Sequence, residues 1–230
     1  MPLSWSSLAV VALLAAPTAG PSADPSHSVG HPYSGKLRGG VALPLKGKNY
    51  QVRWKARANR WLYGTRTLVE GIRHTALDLQ ALGGAPLVVG NLSRRRGGDL
   101  PCSRSHNTGR DVDFGLYTLD RDGTSRPAAY HRFDKRGRSL EAGGRYRFDV
   151  ARNWALIESL LANPQFEVVA LVLNPHLERM VLEHARGLGV DSALVARADR
   201  LLDRPSWANL HRNHLHLRIA CPAGHVRCVD

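Results

Sequence analysis

Acidic side chains, long apolar runs and sulfur are what this sequence has least of. Its 230 residues carry 19 Asp and Glu against 32 Lys and Arg, a formal charge of +13. That excess suggests an anionic partner: nucleic acid, a membrane surface or an acidic polymer such as bacterial cell wall. No apolar run reaches the 18 residues that demand a membrane-spanning helix; Leu8 to Ala16 is the nearest approach. No internal repeat is visible. Arg94-Arg95-Arg96-Gly97-Gly98 has no interleaved aromatics, the other basic residues are dispersed, and no nucleic-acid module accompanies them, so the run reads as a solvated loop and nucleic acid is not expected as a partner.

What is present begins with a targeting signature. Leu8 to Ala16 has the length of a signal-peptide core and is followed by the small, turn-rich Pro17 to Ala23, although no Lys or Arg precedes it. The expectation is a signal peptide over about residues 1–23 and one domain over 24–230, periplasmic or secreted; the alternative is an apolar helix packed on that domain. Three cysteines leave one over from any single bridge. Cys221 and Cys228 are spaced to close a small carboxyl-terminal loop as a disulfide, with Cys102 unpaired, but Cys102 with Cys221 is also open, and Cys102 as a fourth metal ligand is a further possibility.

Residues 28–63 are turn-rich and read as an irregular lead-in wrapped on the domain. Thr65 or Thr67 caps a helix with Leu68, Ile72, Leu79 and Leu82 at helical spacing, stopped at Gly83-Gly84. Residues 86–92 make a short buried strand, and 111–117 another, with Asp111 and Asp113 on one face and Val112 and Phe114 on the other. The polar stretch 118–147 is too long for an ordinary connection and is expected to border a substrate groove. Helices follow from Asp149, from Asn174-Pro175 and over 191–202, with a strand at 166–173. Helices and strands do not alternate regularly, so the class is α+β with a small antiparallel sheet carrying a zinc site, flanked by helices.

The chemistry gathers in two segments. Ser105-His106-Asn-Thr-Gly-Arg-Asp-Val-Asp113 sets an imidazole seven residues before a carboxylate, on what reads as one strand. His211-Arg-Asn-His214-Leu-His216 follows about a hundred residues later; His214 and His216, two apart on a strand, share a face. Two histidine-bearing segments with a carboxylate can give zinc three N/O ligands and keep a fourth position open, the arrangement of a catalytic site. Singly, each histidine would read as a hydrogen-bonded structural residue.

These two segments resemble the signatures of the penicillin-insensitive murein endopeptidases, zinc peptidases sharing a fold with lysostaphin-type, D-Ala-D-Ala peptidase and hedgehog amino-terminal domains. Ala42 to Leu45, Gly47 to Val52, Val89 to Ser93, Arg96 to Gly98 and Val172 to Pro175 extend the likeness from about Ser28 to the carboxyl terminus. The resemblance implies His106, Asp113 and His216 as zinc ligands, His214 as general base or transition-state stabiliser, His211 as a further active-site histidine, and a Cys221–Cys228 disulfide. Face alternation alone leaves open the exchange of His214 and His216. The resemblance further implies hydrolysis of D-alanyl cross-links in peptidoglycan, the anionic partner, without a serine that β-lactams could acylate. Two departures stand out. Ser103 occupies a position where the family often has histidine, and Cys102 one that is commonly proline; Ser103 favours the alternative of a non-catalytic zinc-containing wall-binding protein, and among enzymes the alternative is a D,D- or L,D-carboxypeptidase acting on uncrosslinked stems.

Overall fold

The computed structural model of the protein describes residues 24–101, 103–203 and 208–230. The expected signal segment and Cys102 lie outside them. Between His27 and Gly64 come β1 (His27–Val29), β2 (Lys36–Arg38), β3 (Val41–Ala42), β4 (Lys46–Gly47), β5 (Tyr50–Val52), α1 (Trp54–Ala58) and β6 (Tyr63–Gly64). Then follow α2 (Arg66–Ala81), β7 (Leu87–Val89), β8 (Asp111–Gly115), β9 (Thr118–Leu119), β10 (Ser125–Arg126), β11 (Arg147–Phe148) and α3 (Val150–Leu161). The chain closes through β12 (Val168–Val172), α4 (Pro175–Gly187), α5 (Ser192–Leu201), β13 (Leu202–Asp203) and β14 (His214–Ile219).

The class is α+β, as expected. Strands β12, β14, β8 and β7 form an antiparallel core. Parallel pairing of β13 with β12 and of β5 with β7, with β4 beyond, widens it to seven strands, more than the small sheet anticipated. The lead-in needs the matching correction: β4 and β5 are built into this sheet. Strands of two or three residues are too short to declare themselves by alternation.

The helices start where their caps say. The hydroxyl of Thr65 accepts the N–H of Leu68, Asp149 caps α3 through Arg152 N–H, Asn174 precedes Pro175 at the start of α4, and Asp191 caps α5; each such cap contributes about 1 kcal/mol. Leu68, Ile72 and Leu79 of α2 are buried, as are Trp154, Ile157 and Leu161 of α3. On the sheet, Val112, Phe114, Leu215 and Leu217 join the same core. Each fully buried side chain of this kind is worth about 1.5–3 kcal/mol. Burying one face of β8 and β14 fixes the register of both, and with it every polar side chain on the other.

The 118–147 stretch is more ordered than a loop. β10, β9 and β11 form a three-stranded sheet, and Asp120 ties the turn by accepting the N–H groups of Asp122 and Thr124. At the carboxyl end Cys221 and Cys228 form the expected disulfide, with Cα atoms 5.8 Å apart. Buried Arg110 donates to the carbonyls of Ile219 and Val229 and pairs with Asp230. The carboxyl-terminal loop also meets the first strand: Gly30 N–H donates to Arg227 C=O at 2.7 Å, and Ser28 N–H to His225 Nδ1 at 3.1 Å.

Candidate metal centre

The register of β8 against β14 builds the site. His216 lies directly opposite Asp113, Arg218 opposite Asp111, and His214 opposite Gly115. Period-two alternation therefore puts Asp111, Asp113, His214, His216 and Arg218 on one face and the core residues on the other. His106 does not stand on a strand, contrary to expectation. It sits in the turn before β8 at φ 75°, a left-handed conformation uncommon for a residue with a Cβ. That turn folds the imidazole back over the sheet.

There the groups converge. Single donor atoms of His106, Asp113 and His216 all lie within 4.8 Å of one another, and all three residues are buried. Asp113 Oδ1 is 3.0 Å from His216 Nδ1 and 3.3 Å from His106 Nε2. His214 Nε2 is 3.8 Å from the same oxygen and more open to solvent. The His211 ring lies 4.6 Å from that of His214 and 6.0 Å from that of His216. All five residues singled out in the sequence are thus brought together.

Neither ring nitrogen of His106 makes a hydrogen bond among the described residues, although the side chain is fully buried. Buried polar atoms are normally satisfied, and a metal ion held with Asp113 and His216 would satisfy one of these two nitrogens. The donor set, two imidazoles and one carboxylate, fits zinc or a neighbouring transition metal, whereas calcium and magnesium prefer oxygen alone.

Around these groups lies a second set. Asp111 Oδ1 accepts from His216 Nε2 at 3.0 Å and from Arg218 Nε at 2.8 Å, and Arg218 reaches on to the Tyr33 hydroxyl. Asn91 Nδ2 donates to Asp113 Oδ2 at 3.0 Å. Tyr130, at φ 59°, stacks on His214 at 6.1 Å between centroids, with the Arg53 guanidinium 3.7 Å above its own ring. Alternation marked Asp111 as sharing the face but not its role; nothing in sequence spacing pointed to Tyr130 or Arg53, which arrive from remote segments.

Charge is distributed accordingly. Burial by itself would raise both carboxyls. For Asp111 the hydrogen bond and charge of His216, with Arg218 and His106, outweigh it; for Asp113 the nearby His106 and His214 and the hydrogen bond from His216 do, and both acids stay ionised far below the usual range. His216, whose burial disfavours charge, is nonetheless pushed up to about 9 by its two carboxylates. His214 goes the other way. Burial lowers it, Asp113 opposes, and His216, His106 and Arg53 add to the depression, so it is a neutral imidazole at neutral pH.

The sequence model described as penicillin-insensitive murein endopeptidase matches residues 28–230. The chain belongs to this family. Relatives bearing that name include one from Klebsiella pneumoniae subsp. pneumoniae, 28% identical over 213 residues, one from Salmonella heidelberg, 28% over 210, and one from Escherichia coli K12, 27% over 215. Each alignment covers 89% of this chain and 70% of the relative. Within this murein endopeptidase chain Ser103 keeps its hydroxyl on its own turn, accepting the N–H of Ser105 at 3.3 Å.

Proposed function

We propose that this protein is a zinc-dependent endopeptidase that hydrolyses D-alanyl cross-links of peptidoglycan in the periplasm or outside the cell, with His106, Asp113 and His216 as metal ligands. The carrying observation is the convergence of these three buried groups in a chain of a murein endopeptidase family. The antiparallel core with His-x-His opposite an aspartate supports a single domain over 24–230 of the lysostaphin, D-Ala-D-Ala peptidase and hedgehog type; the apolar run Leu8 to Ala16 supports export by residues 1–23.

A zinc ion held here would polarise the scissile carbonyl and lower the pKa of water to about 7. The remaining work belongs to the chain. Asp111, accepting from Nε2 of His216, leaves Nδ1 as the donor atom facing the site; such outer partners orient ligands and raise their basicity. Asn91 holds the second oxygen of Asp113, so the first is aimed at the imidazoles. His214 Nδ1 stands 2.7 Å from Asn213 Oδ1, which as an acceptor keeps the proton on Nδ1 and leaves Nε2 a base. That nitrogen takes a proton from attacking water and returns it to the leaving amine. His211 packs against the same ring and restricts its orientation. No side chain becomes acylated, which accounts for indifference to penicillin.

Ser103 in the place of a family histidine is the one observation favouring a non-catalytic wall-binding protein, and the site would equally serve a carboxypeptidase. Incubating the zinc-loaded protein with purified sacculi separates these. New muropeptide monomers are expected; retention on sacculi without products would support the binding protein, and free D-alanine alone a carboxypeptidase.

A further inference from the structure

A cleft of about 360 Å³ that contains none of the metal-site residues lies between two segments, its walls including Arg60, Trp61, Tyr63, Arg94, Arg95 and Pro101. The segments are stitched into a ribbon: Leu92 N–H donates to Trp61 C=O at 3.0 Å, and Tyr63 and Ser93 exchange bonds of 3.0 and 2.9 Å. The same ribbon carries Asn91, which holds Asp113. Three residues of extended chain span at most about 10–11 Å, so the Arg94 backbone lies within that distance of Asn91 and close to the metal centre.

No carboxylate among the described residues pairs with Arg60, Arg94 or Arg95. Arg60 is placed at a cost. Helix α1 ends in a Schellman turn, with Trp61 N–H on Ala56 C=O at 3.0 Å and Arg60 N–H on Arg57 C=O at 3.1 Å. That geometry puts Arg60 at φ 56°, the left-handed position where glycine is usual and a larger residue is strained. Arg94 and Arg95 are exposed on a turn, as a solvated arginine run should be, and with exposed Arg60 they line one cleft beside Trp61 and Tyr63, which makes the cleft a candidate for binding an anion.

We infer that this cleft is a secondary substrate site that holds a carboxylate-bearing part of the peptidoglycan chain flanking the cross-link to be cut. Arginines grip carboxylates in a planar fork, and Trp61 and Tyr63 offer apolar faces to the sugar or peptide backbone that carries them. The cleft has the size of a small-ligand pocket. The inference rests on the endopeptidase reading and deepens it: the metal centre cuts, while the cleft selects polymer over isolated dipeptide.

The test compares wild type with Arg94→Gln/Arg95→Gln, both zinc-loaded, on sacculi stripped of covalently attached polymers and on a soluble cross-linked muropeptide dimer. KM for sacculi should rise about tenfold with kcat unchanged, as expected for loss of two charge-assisted contacts. The salt dependence of sacculus digestion should flatten in step. An unchanged KM and salt slope in the variant, with wild type active, would overturn the cleft and leave the endopeptidase standing. A wild type that releases monomers from neither substrate would overturn the endopeptidase instead. A variant whose melting temperature equals that of wild type excludes misfolding, and Arg60→Gln, altering a different wall, should raise KM in the same direction.

Discussion

His214 and His216 stand two residues apart on one strand face, yet their surroundings give them opposite charge preferences: His216 is clamped between two carboxylates, and His214 meets only one at 3.8 Å. Alanine at each should separate their roles. His216→Ala should lose most of its zinc, read as metal per chain after dialysis, since one of three ligands is gone. His214→Ala should keep the zinc and lose about 10²- to 10⁴-fold of sacculus hydrolysis. The opposite pair of outcomes would exchange ligand and base. Gly90 bears on the same histidine. A Cβ there would overlap the Tyr130 hydroxyl and press on Asp113, so Gly90→Ala should displace Tyr130 from His214 and lower kcat at least tenfold with zinc retained; unchanged turnover would remove Tyr130 from any part in placing His214.

Between β8 and β14 the energetic burden falls on the buried face. Leu217 is fully buried opposite Val112, and Leu217→Ala should cost about 2–5 kcal/mol by denaturant unfolding. A cost under 1 kcal/mol would mean that the sheet's register is fixed elsewhere. These two strands are also what the sequence declared most openly, because Asp-Val-Asp-Phe and His-Leu-His-Leu alternate cleanly and their polar faces carry the chemistry. The helices were legible for a related reason: Thr65, Asp149, Asn174 and Asp191 are caps that precede periodic apolar positions. Strands β4 and β5 were hidden in turn-rich sequence, since neighbours in space rather than alternation define them. The turn that carries His106 was misread as strand because its fold depends on a positive φ, which a histidine does not advertise. Tyr130 and Arg53 were out of reach altogether; the stacking of Tyr130 on His214, with Arg53 over the Tyr130 ring, is a product of packing between distant segments.

Taken whole, the molecule is strongly basic, and His225 is one source of acid sensitivity away from the metal centre. His225 is buried and accepts the Ser28 N–H through Nδ1, so that nitrogen must be unprotonated. Burial lowers its pKa, with His27 and Arg110 adding and Asp24 opposing. Below the unfolded value near 6.5 the unfolded chain therefore binds the proton more readily than the native one. Its contribution is complete above that pH and is lost as pH falls through the depressed native value. His225→Gln, which can still accept the Ser28 bond, should show a smaller drop in Tm between pH 7 and pH 5 than wild type. Equal drops would place the acid sensitivity elsewhere.

The contact between first strand and last loop has a topological consequence. Gly30 gives its N–H to Arg227 and takes that of Val229, and Asp24 comes within 4.0 Å of His225, so the described fold begins and ends at one place. Termini so close allow the order of a chain to be rotated. A permutant that joins Asp230 to Asp24 through a short linker and opens at the exposed Arg121–Gly123 turn interrupts neither β8 nor β14. It should bind zinc one to one and melt cooperatively, because the order in which the two halves of the site are synthesised has no bearing on how they pair.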